Sequence, residues 1–389
     1  MDIAAVTDES AAWRNVVAAI AAITIFGFAF GLMFPLLSLI LEERGYSDDV
    51  IGINAAMSPL GILLSSVFIP VAARRFGARN VSLAAAFATA LVILAFKAFP
   101  SLSAWFVLRL LQGMLTATLF VLSESWIVRY ASGRHRGKIV AGYAAVLSAS
   151  FAAGPAVVAW IGIEGWRPFL IGAGVLMAAM LPLSLVREAD DGEAAREKPS
   201  LFKFAPKAPL LLAAVGIFAV FDAATLSLLP VYGVRVGLDL TTAATTLTAL
   251  IAGNIVLQFP IGWLADRFPK FQVMAGLGLA TALLCLLVPS SMGTMFMFPL
   301  LFVLGATGYG IYTVALSALG DRFKGEELVQ GAAAFATMWG SGALLGSVIG
   351  GWAMAAFGPH GLPLSLAVSY FLFLAVTLGE ALRRPDSAR

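Results

Sequence analysis

The run NVVAAIAAITIFGFAFGLMFPLLSLIL, residues 15–41, carries no charged side chain over 27 positions. At 1.5 Å rise per residue, a helix of that length crosses the ~30 Å hydrocarbon core of a bilayer with room to tilt. Runs of the same character recur at residues 50–73, 81–99, 103–129, 139–161 and 167–186. After a polar break they resume at 209–234, 241–264, 272–289, 294–319, 328–357 and 362–382. Transmembrane β-strands would alternate in polarity and last about ten residues, so the chain reads as an all-α membrane protein of twelve spanning helices.

Composition agrees. The 389 residues are 60% hydrophobic and 12% charged, with mean hydropathy +0.92, whereas soluble domains carry about 25% charged residues. The first apolar run is too long for a signal-peptide core and follows the acidic start MDIAAVTDES, so it reads as a retained helix. Lys and Arg in short loops stay on the cytoplasmic side. With the N terminus inside, 20 basic residues fall in cytoplasmic segments, only Arg44, Lys97, Arg167 and Arg235 fall outside, and Arg109 is left within the membrane. Both termini are therefore expected in the cytoplasm, at a cell inner (plasma) membrane.

The net charge of +3 reports topology and attraction to anionic lipid, and gives no reason to invoke nucleic acid. One cysteine, Cys285, excludes an intrachain disulfide, and His135 and His360 lie in loops. No metal site and no cofactor are expected.

The polar stretch READDGEAAREKPSLFKFAPK, residues 187–207, divides the spans six and six. The expected organisation is an N-terminal six-helix bundle over 1–187, a cytoplasmic linker over 188–207 and a C-terminal six-helix bundle over 208–389. At an offset of 192 or 193, PVAARRFGARN from Pro70 lies over GWLADRFPKFQ from Gly262, and LSESWIVRY from Leu122 lies over ALSALGDRF from Ala315. With the equal helix counts, these matches point to a twofold repeat.

Of the 22 acids, 20 sit in or beside polar loops, and only Glu124 and Asp222 fall well inside the apolar runs. A carboxylate there must find a partner, face water or take up a proton. Asp222 sits near the centre of its span with no basic residue within a turn. A proton site at Asp222 and a carboxylate bonded to a hydroxyl such as that of Thr225 or Tyr312 are both open readings. In the fourth run, Arg109, Gln112, Gly113, Thr116, Ser123 and Glu124 share one face at 100° per residue. That face either forms a helix–helix seam or lines an aqueous cavity. Arg109 and Glu124 are about 22 Å apart along it, so they cannot pair. Glu124 is instead near the basic loops, with Arg74, Arg75 and Arg129 as candidate partners in a cytoplasmic gate. Tyr309, Tyr312, Thr313 and Ser317 form a Gly-rich polar segment able to shape a pocket. Asn54 with Ser58, and Asn254 with Gln258, are expected to hydrogen-bond between helices.

GWLADRFPK, residues 262–270, resembles the loop signature Gly-x-x-x-Asp-Arg-x-Gly-Arg/Lys of the major facilitator superfamily, with Pro269 in place of the second glycine. The equivalent loop of the first half, PVAARRFGAR, departs from it, with Pro70 for the first glycine and Arg74 for the aspartate. RLLQG, residues 109–113, resembles the family's intramembrane Arg-x-x-x-Gly element. Gly154-Pro155 resembles the end of a glycine–proline element of drug antiporters, with Ala141 and Ser150 where further glycines would stand. SESW, residues 123–126, resembles an efflux-like branch.

The resemblance covers essentially the whole chain and implies a secondary transporter, not an enzyme: two pseudo-symmetric bundles alternate access to a small-molecule site near the midplane. It implies a cavity lined by helices 1, 4, 7 and 10, with Arg109, Gln112, Thr116, Asp222, Thr225, Tyr309, Tyr312 and Thr313 as cavity residues. Asp222 and Arg109 are the expected proton-coupling pair, and Asp266 and Arg267 join Glu124, Arg74, Arg75 and Arg129 at the gate. A monomer exporting a drug or metabolite against protons is favoured. Proton-coupled uptake, uniport, or a receptor of the same fold without turnover are the alternatives.

Overall fold

The computed structural model describes residues 3–66, 68–130, 136–184 and 204–383, which form thirteen helices. They are α1 (Ile3–Glu43), α2 (Asp48–Ser65), α3 (Ile69–Phe76), α4 (Ala78–Ala98), α5 (Leu102–Tyr130), α6 (Arg136–Ile161) and α7 (Arg167–Ser184). The second set is α8 (Pro209–Arg235), α9 (Leu240–Arg267), α10 (Lys270–Ser291), α11 (Met297–Arg322), α12 (Gly325–Phe357) and α13 (Gly361–Arg383). Eleven are long and apolar enough to span a bilayer, and α2 with α3, bent by 57°, supplies the twelfth. The expected span at 50–73 is thus a broken one, with Pro70 in the first turn of α3. Residues 185–203, with most of the linker expected at 188–207, lie outside the described residues, as do His135 and Arg134.

The chain divides into two compact units. Unit 1 holds residues 1–36 and 57–196, and unit 2 holds 37–56 and 197–389. The end of α1 and the start of α2 therefore pack with the second half of the chain.

Both units are held by close backbone crossings, and the same crossings recur in each. In lipid, helices gain little from hydrophobic association, so small residues that let backbones touch supply the packing. In unit 1, a Cβ on Gly61 of α2 would lie 2.2 Å from the Leu110 carbonyl of α5, and one on Gly113 of α5 would lie 2.0 Å from that of Ser58. In unit 2, a Cβ on Gly253 of α9 would lie 1.7 Å from the Phe302 carbonyl of α11, and one on Gly305 would lie 1.8 Å from that of Leu250. All four residues of the first crossing map onto the second at an offset of 192.

A second pair follows the same offset. A Cβ on Gly27 of α1 would lie 3.0 Å from the Ser150 Cβ of α6, and one on Gly342 of α12 would lie 2.8 Å from the Ala219 Cβ of α8. The turns repeat as well. Gly45 (φ 76°) and Gly237 (φ 92°) are in the left-handed region that glycine tolerates, and Tyr46 N–H donates to Leu41 O as Leu238 N–H donates to Gly233 O. These glycines carry the repeat more fully than the loop motifs do.

Candidate functional site

The fourth-run face is an interior seam of unit 1. Arg109, Gln112, Thr116 and Ser123 on α5 are each fully buried. The Arg109 guanidinium lies 5.0 Å from the Phe34 ring centroid and donates from Nη2 to Phe34 O at 3.5 Å. Gln112 Nε2 donates to Ala29 O at 3.5 Å, also on α1. Ser58 Oγ of α2 donates to Arg109 O at 3.2 Å, an interhelical bond of the kind expected for that residue. Thr116 turns back on its own helix, donating to Gln112 O at 2.7 Å. A guanidinium out of water is costly in hydrocarbon, and the Phe34 ring face and carbonyl offset part of that cost.

Glu124 is exposed at the far end of the same helix. Its neighbour Ser123 shares a 2.8 Å hydrogen bond with the Tyr143 hydroxyl of α6. Among the described residues no ion pair joins Glu124 to Arg74 or Arg75, which end α3 in exposed positions. The Arg129 side chain lies outside the described residues. Asp266 and Arg267 are exposed at the end of α9, where Arg267 lies 5.4 Å from the Trp263 ring centroid. The ion pairs that do form near this end of unit 2 were not singled out from the sequence. They are Lys270 with Asp321, joining α10 to α11, and Lys207 with Glu327 at 2.6 Å.

Unit 2 surrounds its membrane acid with aromatic donors. Asp222, at the middle of α8 and 9% exposed, has the Tyr309 hydroxyl of α11 and the Trp339 indole of α12 as side-chain donors beside its carboxylate. Tyr309 was among the expected cavity residues, whereas Trp339 was not. Of the two hydroxyls named as alternative partners, Thr225 donates to the backbone oxygens of Phe221 and Asp222 at 2.7 and 3.1 Å. Tyr312 stacks on Phe218, with ring centroids 4.7 Å apart. Thr313 accepts from Gln258 of α9, so the second polar pair also bonds between helices.

Next to Asp222, Phe221 is fully buried and edge-on to Tyr309 and Tyr370 at 5.4 and 5.9 Å. A Cβ on Gly308 would lie 2.6 Å from that ring, so α11 needs glycine there. Phe218, Tyr312 and Trp339 remain partly exposed. No Lys, Arg or His pairs with Asp222 among the described residues. What these groups can do together is hold a carboxylate in a fixed orientation, beside aromatic faces, without neutralising it by a protein cation.

The family model described as Major Facilitator Superfamily matches residues 19–319 and 236–389. The chain belongs to that superfamily. It is similar to the uncharacterized MFS-type transporter YfkF of Bacillus subtilis (strain 168), with 26% identity over 92% of this chain and 91% of the relative. It is also similar to the uncharacterized MFS-type transporter YcaD of Escherichia coli (strain SMS-3-5 / SECEC), with 23% identity over 96% and 97%. Among solved structures, the nucleoside transporter NupG shares the fold at a TM-score of 0.77, with 12% identity over 94% of this chain and 98% of that one. The protein is thus a multi-pass membrane transporter of the major facilitator type, with two six-helix halves, and not an enzyme.

Proposed function

We propose that the protein is a proton-coupled secondary transporter that exports a small molecule by alternating access, with Asp222 as the coupling acid. The observation that carries the reading is the buried Asp222 carboxylate at mid-helix, beside Tyr309 and Trp339 and with no cationic partner among the described residues. A structural carboxylate in hydrocarbon is stabilised by pairing with a cation. One held by neutral donors can gain and lose a proton as its surroundings change, which links proton movement to conformation.

Arg109 acts from unit 1 as a fixed charge in the α5 seam, and Glu124 with the exposed basic residues of α3 and α9 serves the cytoplasmic gate. Export is favoured by the Gly154-Pro155 element, which lies at the close crossing of α6 with α1. The protein acts as a monomer in the inner membrane with both termini cytoplasmic, in keeping with the distribution of Lys and Arg.

The test is transport by the purified protein in proteoliposomes under an imposed pH gradient. Asp222→Asn is expected to abolish gradient-driven accumulation and to leave solute counterflow. Accumulation at the wild-type rate would make Asp222 structural and end the proposal.

A further inference from the structure

The repeat that relates the two units shows where unit 2 departs from it. In unit 1, Phe26, Phe30 and Phe34 form an aromatic column along α1, with centroid spacings of 4.8 and 5.0 Å. Phe26 also packs on Phe120 of α5 at 4.9 Å. At the offset of 192 set by the glycine crossings, Phe26 and Phe120 become Phe218 and Tyr312, which make the same contact at 4.7 Å. The frame is therefore kept.

Its filling is not. Phe30 becomes Asp222, Phe34 becomes Leu226, and Phe151, which packs on Phe26 and Phe30 in unit 1, becomes Ala343. Leu147 becomes Trp339, a neighbour of the new carboxylate. Unit 1 closes its frame with its own rings, and unit 2 replaces the central ring by an acid flanked by partly exposed aromatic faces.

A carboxylate attracts positive charge, and ring faces carry negative quadrupole density that also attracts cations and stacks on flat apolar groups. An anion would be repelled by both. Tyr309 and Trp339 together can occupy only part of the acceptor capacity of Asp222, which has about four lone-pair sites. Binding sites with this balance, mostly apolar with one placed charge, suit amphiphilic ligands. We propose that unit 2 binds a hydrophobic organic cation, with its positive centre against Asp222 and its apolar group among Phe218, Tyr312 and Trp339. This rests on the reading of Asp222 as the working acid and gives that site its substrate class.

The experiment uses full-length protein in detergent micelles, with binding to empty micelles subtracted. The probes are tetraphenylphosphonium, which carries a permanent positive charge and no titratable proton, tetraphenylborate, an anion of the same shape, and uridine, a neutral polar solute. Saturable binding of tetraphenylphosphonium alone is expected, weakened at least tenfold in Asp222→Asn and several-fold in Trp339→Leu, which restores the residue of unit 1.

Equal binding of the two tetraphenyl ions by the wild type overturns the proposal, as does undiminished phosphonium binding by Asp222→Asn. Should Asp222→Asn fail to fold, judged by gel filtration, the wild-type charge comparison and Trp339→Leu decide, and unchanged phosphonium affinity in Trp339→Leu overturns it. In proteoliposomes, Asp222-dependent accumulation of uridine that phosphonium does not inhibit would overturn the substrate class while leaving the coupling acid in place. Wild-type gradient-driven accumulation by Asp222→Asn would instead remove the coupling acid.

Discussion

Arg235 Nε lies 2.8 Å from Glu42 Oε1, joining the last turn of α8 to the end of α1 within unit 2. Arg235 Nη2 also lies 3.5 Å from Asp48 Oδ1 in the first turn of α2. One cation thus serves two carboxylates from consecutive helices. Beside it, a Cβ on Gly52 of α2 would lie 2.4 Å from the Ser347 carbonyl of α12, so backbone contact continues the same junction.

Removing Arg235 leaves Glu42 and Asp48 as neighbouring like charges. The Arg235 side chain is 37% exposed, so screening limits the loss to about 1 kcal/mol for Arg235→Gln. Arg235→Glu adds a third acid and should cost more. Arg235→Lys should stay near wild type. Thermal melting of the purified protein at low and at high salt checks this: the deficit of Arg235→Gln should shrink as salt screens the two carboxylates.

The repeat predicts matched sensitivities at matched glycines. Gly61→Ala, Gly113→Ala, Gly253→Ala and Gly305→Ala each drive a methyl into a carbonyl of the facing helix. Overpacking of this kind costs typically 1–3 kcal/mol, and more where both partners are backbone. Gly262→Ala and Gly320→Ala, with nothing within 4 Å of the new methyl, are the controls. The four crossing variants should lower the melting temperature or fail to accumulate in membranes, and the two controls should not.

How much of this was legible in the sequence depended on whether the signal was local. Span length and the placing of charges are properties of one segment, so the helices and the isolation of Asp222 could be read directly. An offset of 192 or 193 was visible at two helix ends, yet the glycines that embody the repeat gave no polar cue in an apolar background containing 38 glycines.

Partners were harder to read, because a single sequence does not say which helices touch. Trp339 lies 117 positions from Asp222, and only packing of α12 on α8 brings its indole to the carboxylate. Glu42, Asp48 and Arg235 were read as loop charges for the same reason. The α5 stripe was legible as a face, and only the structure set Phe34 and Ala29 against it.

Asp239 supplies the pH-dependent prediction outside the membrane spans. Its Oδ1 accepts from Thr242 N–H at 3.0 Å and caps α9. The hydrogen bonds from Thr242 hold its carboxyl below the usual carboxylate range. The folded-state value is thus depressed, so the contribution is present above about pH 4, the unfolded value, and fades as pH falls through the folded one. Asp239→Ser keeps a cap without a titrating group. Between pH 6 and pH 3 its melting temperature should fall less than that of the wild type, and an equal fall would show that the cap does not titrate with folding.

Arg109 offers a separation of seam from function, because its repeat equivalent is Leu301. Arg109→Leu keeps apolar bulk in the α5 seam and removes the buried charge, a replacement that often costs little stability. Arg109→Ala also opens a cavity beside Phe34 and should destabilise by about 2–5 kcal/mol, as large-to-small changes do in packed interiors. If the charge serves transport, Arg109→Leu should melt within a few degrees of wild type, by roughly the scale of 1 kcal/mol, and still lose gradient-driven accumulation in proteoliposomes. Full accumulation by Arg109→Leu would assign Arg109 to packing alone, and would leave Asp222 as the charge on which coupling depends.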